Sequence, residues 1–164
     1  MSTSLHRQRA GYTMIELLLV VGTLAIVFAL AAPRMTTIRE SSSLRAGRQQ
    51  LAAAFAAARS AALQKGKTST LTLAGNVATV TVRSGLAGTT VQVFGPVRLD
   101  ASLGITLEPL NDAPTVINYN GRGMMTNVMI EEEEVFRYRL RYGTKSDTLC
   151  ISTAGLILSK HCTL

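Results

Sequence analysis

Gly11-Tyr12-Thr13-Met14-Ile15-Glu16-Leu17 is the stretch on which the fold turns, because it opens the longest apolar run in the chain. Residues 12–32 carry a single charge, Glu16. As a helix rising about 1.5 Å per residue, such a run matches the roughly 30 Å hydrocarbon core of a bilayer. A polar leader, residues 1–11 with His6, Arg7 and Arg9, precedes it, and Pro33-Arg34 closes it. A secretory signal would be cut after the apolar region, next to small residues such as Ala31-Ala32. Two features speak against that reading. The run is longer than a signal core, and it holds a carboxylate five positions after Gly11. A carboxylate inside a bilayer costs about 2.5–3.5 kcal/mol on insertion scales and marks function. A plain anchor would carry leucine there.

The junction resembles the class III signal of type IV pilins and type II secretion pseudopilins. The resemblance rests on Gly11 before the aromatic Tyr12, on Glu16 as the fifth residue after the junction, and on Pro33 as the twenty-second. It implies that prepilin peptidase cuts after Gly11 on the cytoplasmic side and that Tyr12 becomes an N-methylated N-terminus. It assigns Glu16 and Pro33 to assembly. It also implies inner-membrane lipid, an inner-membrane assembly platform and other pilin or pseudopilin subunits as partners. Simple electrostatics agrees with that assignment. After cleavage the Tyr12 amine is positive, and Glu16 of one subunit neutralises the amine of a neighbour in an apolar filament core. Buried charges are tolerable only when paired. The competing reading is a Glu16 that snorkels to the membrane surface, within about 6 Å of the new N-terminus.

Arginines flank both ends of the run, so the positive-inside rule does not orient it. The peptidase implied by the resemblance does: the N-terminus lies inside and the bulk of the chain in the periplasm. The expected localisation is a single-pass inner-membrane protein that later enters a filament. Cys150 and Cys162 suit an oxidising compartment.

Residues 33–65 read as an amphipathic continuation of the same helix. Leu44, Leu51, Phe55, Ala58 and Ala62 recur at helical spacing as one apolar stripe, the face that packs on the head. The alanine-rich stretch around Phe55 favours helix, and Lys65-Gly66 is a stop. Ser41-Ser42-Ser43, Gly47 and, within the span, Gly22 are weak points, and Pro33 is expected to bend the helix.

From residue 66 the period changes to two. Residues 68–73 and 77–83 read as a β-hairpin about Ala74-Gly75-Asn76, and residues 90–94 as a further strand. Residues 105–108 and 115–119 read as short strands on either side of a turn at 111–114. In residues 135–142, Phe136, Tyr138, Leu140 and Tyr142 share one face, and Arg137, Arg139 and Arg141 the other. Residues 147–152 and 156–159 read as a last hairpin through Ala154-Gly155. The expected fold is α+β: one long N-terminal helix, then only strands, forming a head of antiparallel sheet over residues 66–164. Aromatic residues make up only 5% of the chain, so aliphatic side chains must build the core.

Net charge is +7, but Arg7 and Arg9 leave with the leader, and five arginines against Glu40 sit on residues 34–59. From residue 60 onward ten basic residues face eight acidic ones, a weak basis for nucleic-acid binding by the head. The segments Ile117-Asn118-Tyr119-Asn120-Gly121 and Leu149-Cys150-Ile151-Ser152-Thr153-Ala154-Gly155 resemble the minor-pilin branch that includes GspH, FimU and FimT. That branch implies priming of assembly or a place at the filament tip. Some FimT-like members bind DNA through a Gly-Arg-x-Arg turn. The corresponding Gly155-Leu156-Ile157-Leu158 has no arginine.

Three clusters remain. Arg137, Arg139 and Arg141 form a basic strand face able to touch phosphate, against a plainer reading as a solvated face paired with nearby acids. Glu131-Glu132-Glu133-Glu134 lacks the spacing of a calcium loop and reads as a solvated acidic loop that could face those arginines. Cys150 and Cys162 with His161 are sparse for zinc, so a disulfide tying the tail to the sheet is the better reading. No metal, cofactor or catalytic set is indicated, and an enzyme is not expected. The expected function is a minor pilin or pseudopilin subunit. The alternatives are a DNA-binding minor pilin for natural transformation and a signal-anchored periplasmic protein that does not polymerise.

Overall fold

The structure, a computed structural model, describes residues 12–84, 88–126 and 135–158, with backbone alone for residues 31–37. The chain divides into two compact units, Met1–Ile38 and Arg39–Leu164, which are taken separately. The helix α1, Met14–Lys65, contributes to both and ends at Gly66, whose φ of 60° suits a residue without Cβ. Its backbone is helical through position 33.

In the second unit a first antiparallel hairpin joins β1 (Ser69–Ala74) to β2 (Val77–Ser84), with Ala74 opposite Val77 across Gly75-Asn76. Next come β3 (Thr89–Arg98), the short helix α2 (Leu99–Leu103), β4 (Thr106–Leu110) and β5 (Val116–Tyr119). The chain closes with β6 (Val135–Tyr142) and β7 (Lys145–Ser152). The strands form two antiparallel sheets rather than one, in the orders β3-β2-β1-β5 and β4-β6-β7.

Three sequence expectations are corrected. The head is not built only of strands, because α2 follows β3 and buries Leu99. Gly104 ends α2 at φ 68° and donates its N–H to Asp100 O at 2.8 Å, a stop signal too close to the start for any helical period to show. The last hairpin shrinks to one bridge, Ile151 with Ile157. The strand expected at residues 90–94 runs ten residues, Thr89–Arg98. The acidic run at 131–134, the turn at 85–87, and His161 and Cys162 lie outside the described residues.

The stem stripe forms the centre of the core. Leu44, Leu51, Phe55, Ala58 and Ala62 are buried with Leu71, Leu73 and Val80 of the first sheet and Tyr138, Leu140, Leu149 and Ile151 of the second. Alternation along β1 and β2 turns Leu71, Leu73, Ala78, Val80 and Val82 inward, as period-two side-chain geometry requires. Buried Ser69 is satisfied by donating its hydroxyl to Ala58 O of the stem. Asn76, at the first hairpin turn, joins the sheets: its Oδ1 accepts from Leu107 N at 2.8 Å and its carbonyl from Leu99 N at 2.9 Å.

Gly47, a weak point in the sequence, is a close-packing point in the fold. A Cβ there would collide with Ile105 Cδ1 and lie 3.3 Å from Leu140 Cδ2. Ile105 and Leu140 are themselves fully buried. Gly47→Leu is therefore expected to destabilise the protein by about 3 kcal/mol through overpacking. Gly47→Ala should cost much less, since helix propensity returns about 1 kcal/mol. Denaturant midpoints of the two variants check this, and a leucine variant as stable as the parent would refute it.

Candidate functional site

Three features bear on function: the first turns of α1, the arginine face of β6, and Cys150.

Thr13 caps α1. Its carbonyl accepts from Glu16 N at 3.1 Å and from Leu17 N at 3.2 Å, and its Oγ1 lies 3.3 Å from the same Glu16 N–H. Thr13-Met14-Ile15-Glu16 thus has the pattern of a capping box, with the carboxylate on the first turn where the helix dipole favours a negative charge. Sequence reading singled out Glu16 but missed the cap, although a Thr three residues before a Glu was legible. After Glu16 every side chain through Leu30 is exposed. Leu17, Leu18 and Leu19 are at least 60% open, and so are Phe28 and Leu30. The one hydroxyl in that stretch, Thr23, is satisfied within the helix by donating to Val20 O at 2.9 Å. A helix apolar on all sides and bare on all sides needs a cover. Among the described residues no helix is long and apolar enough to cross a membrane. The described apolar side chains run from Met14 to Leu30, about 25 Å at the helical rise, while the helical backbone continues through residues 31–37. Gly11 lies outside the described residues, Tyr12 is exposed ahead of the helix, and of Pro33 only the helical backbone is described.

On β6 the arginines are not three free cations. Glu108 of β4 stands opposite Arg139 in register. Its carboxylate spans two of them, with Oε2 3.8 Å from Arg139 and Oε1 3.7 Å from Arg141. These groups are well exposed, so the pairing adds little stability. Its consequence is local neutralisation. Arg137 is half-buried, and its Nε has no hydrogen-bond partner among the described residues. Pairing with a nearby acid was the plainer expectation for this face, and Glu108 is that acid, brought there by strand register, while the 131–134 run lies outside the described residues. The stem is tied to the β6–β7 hairpin by two further pairs, Arg48–Asp147 at 3.7 Å and Glu40–Lys145 at 3.3 Å.

Cys150 is fully buried in β7 and disulfide-bonded. Among the described residues no group of His, Cys, Asp and Glu is placed to hold a metal ion.

Two buried tyrosines carry the main electrostatic signal. Burial pushes the Tyr119 hydroxyl well above its ordinary range, with the nearby Arg59 opposing slightly. Burial also raises Tyr138, with Tyr119 adding to the effect. Tyr138 spends its proton on Pro114 O at 2.8 Å. A phenol with a raised folded-state pKa stabilises the fold fully below its unfolded value, near pH 10, and loses that contribution as pH rises beyond it. Denaturant midpoints are therefore expected to hold to about pH 9 and drop by pH 11. Tyr138→Phe should flatten the drop, and an equal drop in that variant would exclude Tyr138 as the cause.

No family model matches the chain, and no curated protein matches it in sequence. Its fold is that of a type IV minor pilin. Among solved structures it is similar to the minor pilin FimU of Pseudomonas aeruginosa strain PAO1, in a crystal form of space group P21. That match has a TM-score of 0.51 and 17% identity, covering 74% of this chain and 90% of that one. A P65 crystal form of the same FimU aligns at a TM-score of 0.48 and 16% identity, over 70% of this chain and 90% of that one.

Proposed function

We propose that this chain is a minor pilin or pseudopilin subunit whose work is assembly and protein contact rather than catalysis. The observation that carries the proposal is the exposed apolar stretch of α1 from Met14 to Leu30, whose lone carboxylate, Glu16, sits on the first turn, on a chain with a minor-pilin fold. In this reading the chain is made as an inner-membrane precursor with its head in the periplasm. Prepilin peptidase cuts it between Gly11 and Tyr12. Lipid covers the apolar helix of residues 12–32 first, and the helices of neighbouring subunits cover it after extraction through the assembly platform. Glu16 then meets the Tyr12 amine of a neighbour, and Pro33 shapes the helix where it leaves the filament core. The subunit acts in priming or at the tip of a type IV pilus or type II secretion pseudopilus. Cys150 pairs with Cys162, closing a short loop worth about 3 kcal/mol. Glu108 beside Arg139 and Arg141 disfavours the DNA-binding alternative at that face.

The test is the intact mass and N-terminal sequence of the protein from cells with and without prepilin peptidase. A chain starting at methylated Tyr12, only when the peptidase is present, is the expected result. An uncut chain, or one cut near Ala32, would overturn the proposal.

A further inference from the structure

Two donors at one end of the second unit are buried without an acceptor. Tyr119, the last residue of β5, is fully buried, and its hydroxyl has no hydrogen-bond partner among the described residues. Arg59, in the last two turns of α1, is half-buried, and its Nε is likewise buried and unpartnered. The ion pairs among the described residues use Arg48, Arg139, Arg141 and Lys145, and none uses Arg59. A buried polar group without a partner costs stability, and native folds keep few of them.

The two donors converge. A Cβ built on Gly155 would lie 3.4 Å from the Tyr119 hydroxyl oxygen and 3.6 Å from Arg59 Cδ, and one built on Gly123 would lie 3.2 Å from Arg59 Nε. Both glycines have a φ of 74°. The turns after β5 and β7 thus press bare backbone onto the pair from two sides. Neither donor can meet the other's need. Arginine offers only N–H groups, and a phenol that accepts one of them still has its own proton to give. An acceptor satisfies both, and beside a guanidinium a negative acceptor is the strong one. The surroundings are apolar and open. Leu63, one turn beyond Arg59, is 50% exposed, and its Cδ2 would lie 3.1 Å from the same Gly123 Cβ. Met124 and Leu156, which follow the two glycines in the chain, are 56% and 51% exposed. A desolvated polar centre beside exposed apolar side chains has the anatomy of a protein contact.

We propose that Arg59 and Tyr119 are the recognition point for an acidic segment of a partner protein, a carboxylate side chain flanked by apolar residues. The carboxylate accepts from Arg59 Nε–H and from the Tyr119 hydroxyl, and its apolar neighbours cover Leu63, Met124 and Leu156. Arg59, being half-buried, is met first. Tyr119 is fully buried, so its hydroxyl is reached as the Gly155 turn shifts aside. A purely apolar partner would leave both donors unpaired, and a basic one would set like charge against Arg59. Holding the donors unpaired destabilises the free protein, and the partner's carboxylate relieves that cost on binding. Every group involved lies in the unit Arg39–Leu164, so the contact is independent of cleavage after Gly11 and of Glu16.

The experiment follows the arginine Nε–H signals of the full chain in detergent micelles by nuclear magnetic resonance, with Arg59→Met identifying the Arg59 signal. The probe is the peptide acetyl-Leu-Glu-Leu-amide, and its glutamine counterpart is the control. The glutamate peptide is expected to move the Arg59 signal saturably, and the glutamine peptide to bind about tenfold more weakly or worse. Tyr119→Phe is expected to raise the melting temperature of the free protein by about 3 °C, because it deletes an unpaired buried donor, while weakening the peptide about fivefold. Leu63→Ser, at an exposed position, should weaken the peptide and leave the melting temperature unchanged. The proposal is overturned if the two peptides act alike, or if neither moves the Arg59 signal. It is overturned if Tyr119→Phe lowers the melting temperature, which would mean a hydroxyl already satisfied within the fold, or if Tyr119→Phe binds the glutamate peptide like the parent. A shift of the Arg59 signal in peptide-free protein on replacing Glu131, Glu132, Glu133 and Glu134 by glutamine would also overturn it, since the chain's own acids would then be the acceptor.

Discussion

Glu16→Leu is expected to reduce incorporation of the protein into filaments by about a hundredfold or more while leaving its head folded and its membrane level unchanged. The substitution removes the one carboxylate of residues 12–32; in the proposed assembly this leaves the Tyr12 amine of a neighbouring subunit without a partner in an apolar core. Removing one member of a buried ion pair costs about 3–5 kcal/mol, and each 1.4 kcal/mol is a factor of ten. Membrane retention should not suffer, because leucine is the better bilayer residue. Glu16→Gln separates this role from helix capping. Glutamine still suits the third helical position behind the Thr13 cap but carries no charge. If pairing is the role, the glutamine variant fails like the leucine variant. If capping is, it assembles normally. Immunoblots of sheared filaments against whole-membrane fractions give the comparison. Normal incorporation of the leucine variant would leave a signal-anchored protein that does not polymerise as the better reading.

Phe55→Ala is expected to be the most damaging single truncation in the head. Phe55 is 1% exposed, and its ring centroid lies 5.4 Å from that of Tyr138, tilted by 51°. It is the largest of the stem side chains buried against the second sheet, so its removal leaves the largest gap there. The lost transfer energy and the cavity together cost about 3–5 kcal/mol. That is a large share of the roughly 5–15 kcal/mol that holds a domain of this size together. The melting temperature should fall by about 10 °C or more. Phe94→Ala, at a half-buried strand position, is the comparison and should cost clearly less. A Phe55→Ala shift of only a few degrees would mean that the core closes over the gap, and that the stem–sheet contact is softer than its burial indicates.

Much of this architecture is local and so was legible in the chain itself. The apolar run, its lone Glu16 and the Lys65-Gly66 stop are statements about neighbouring residues. The stripe of Leu44, Leu51, Phe55, Ala58 and Ala62 follows from helical period, and all five are buried. The strand from Val135 to Tyr142 showed itself by strict alternation, with Tyr138 and Leu140 inward and Arg139 and Arg141 outward. The first hairpin was marked by Gly75-Asn76 between two β-branched runs.

What escaped depends on residues far apart in sequence. Whether the seven described strands make one sheet or two is set by which edges meet around the stem, and no local period records that. Glu108 became the counterion of Arg139 and Arg141 because β4 pairs with β6 in one particular register. Gly47 looked like a helix defect, and Gly121 drew notice only as the end of the Ile117-Asn118-Tyr119-Asn120-Gly121 segment. The fold uses both as points of close approach, Gly47 against Ile105 and Gly121 against the backbone of Gly66, where a Cβ would come within 2.8 Å. By itself, then, the sequence determined the long helix with its buried stripe, the first hairpin, the strand from Val135 to Tyr142 and the charge pattern of the N-terminal helix, because each depends on side chains within a few residues of one another. Only the tertiary structure decided the two-sheet pairing and the arginine counterion, because each depends on distant strands packing around one helix.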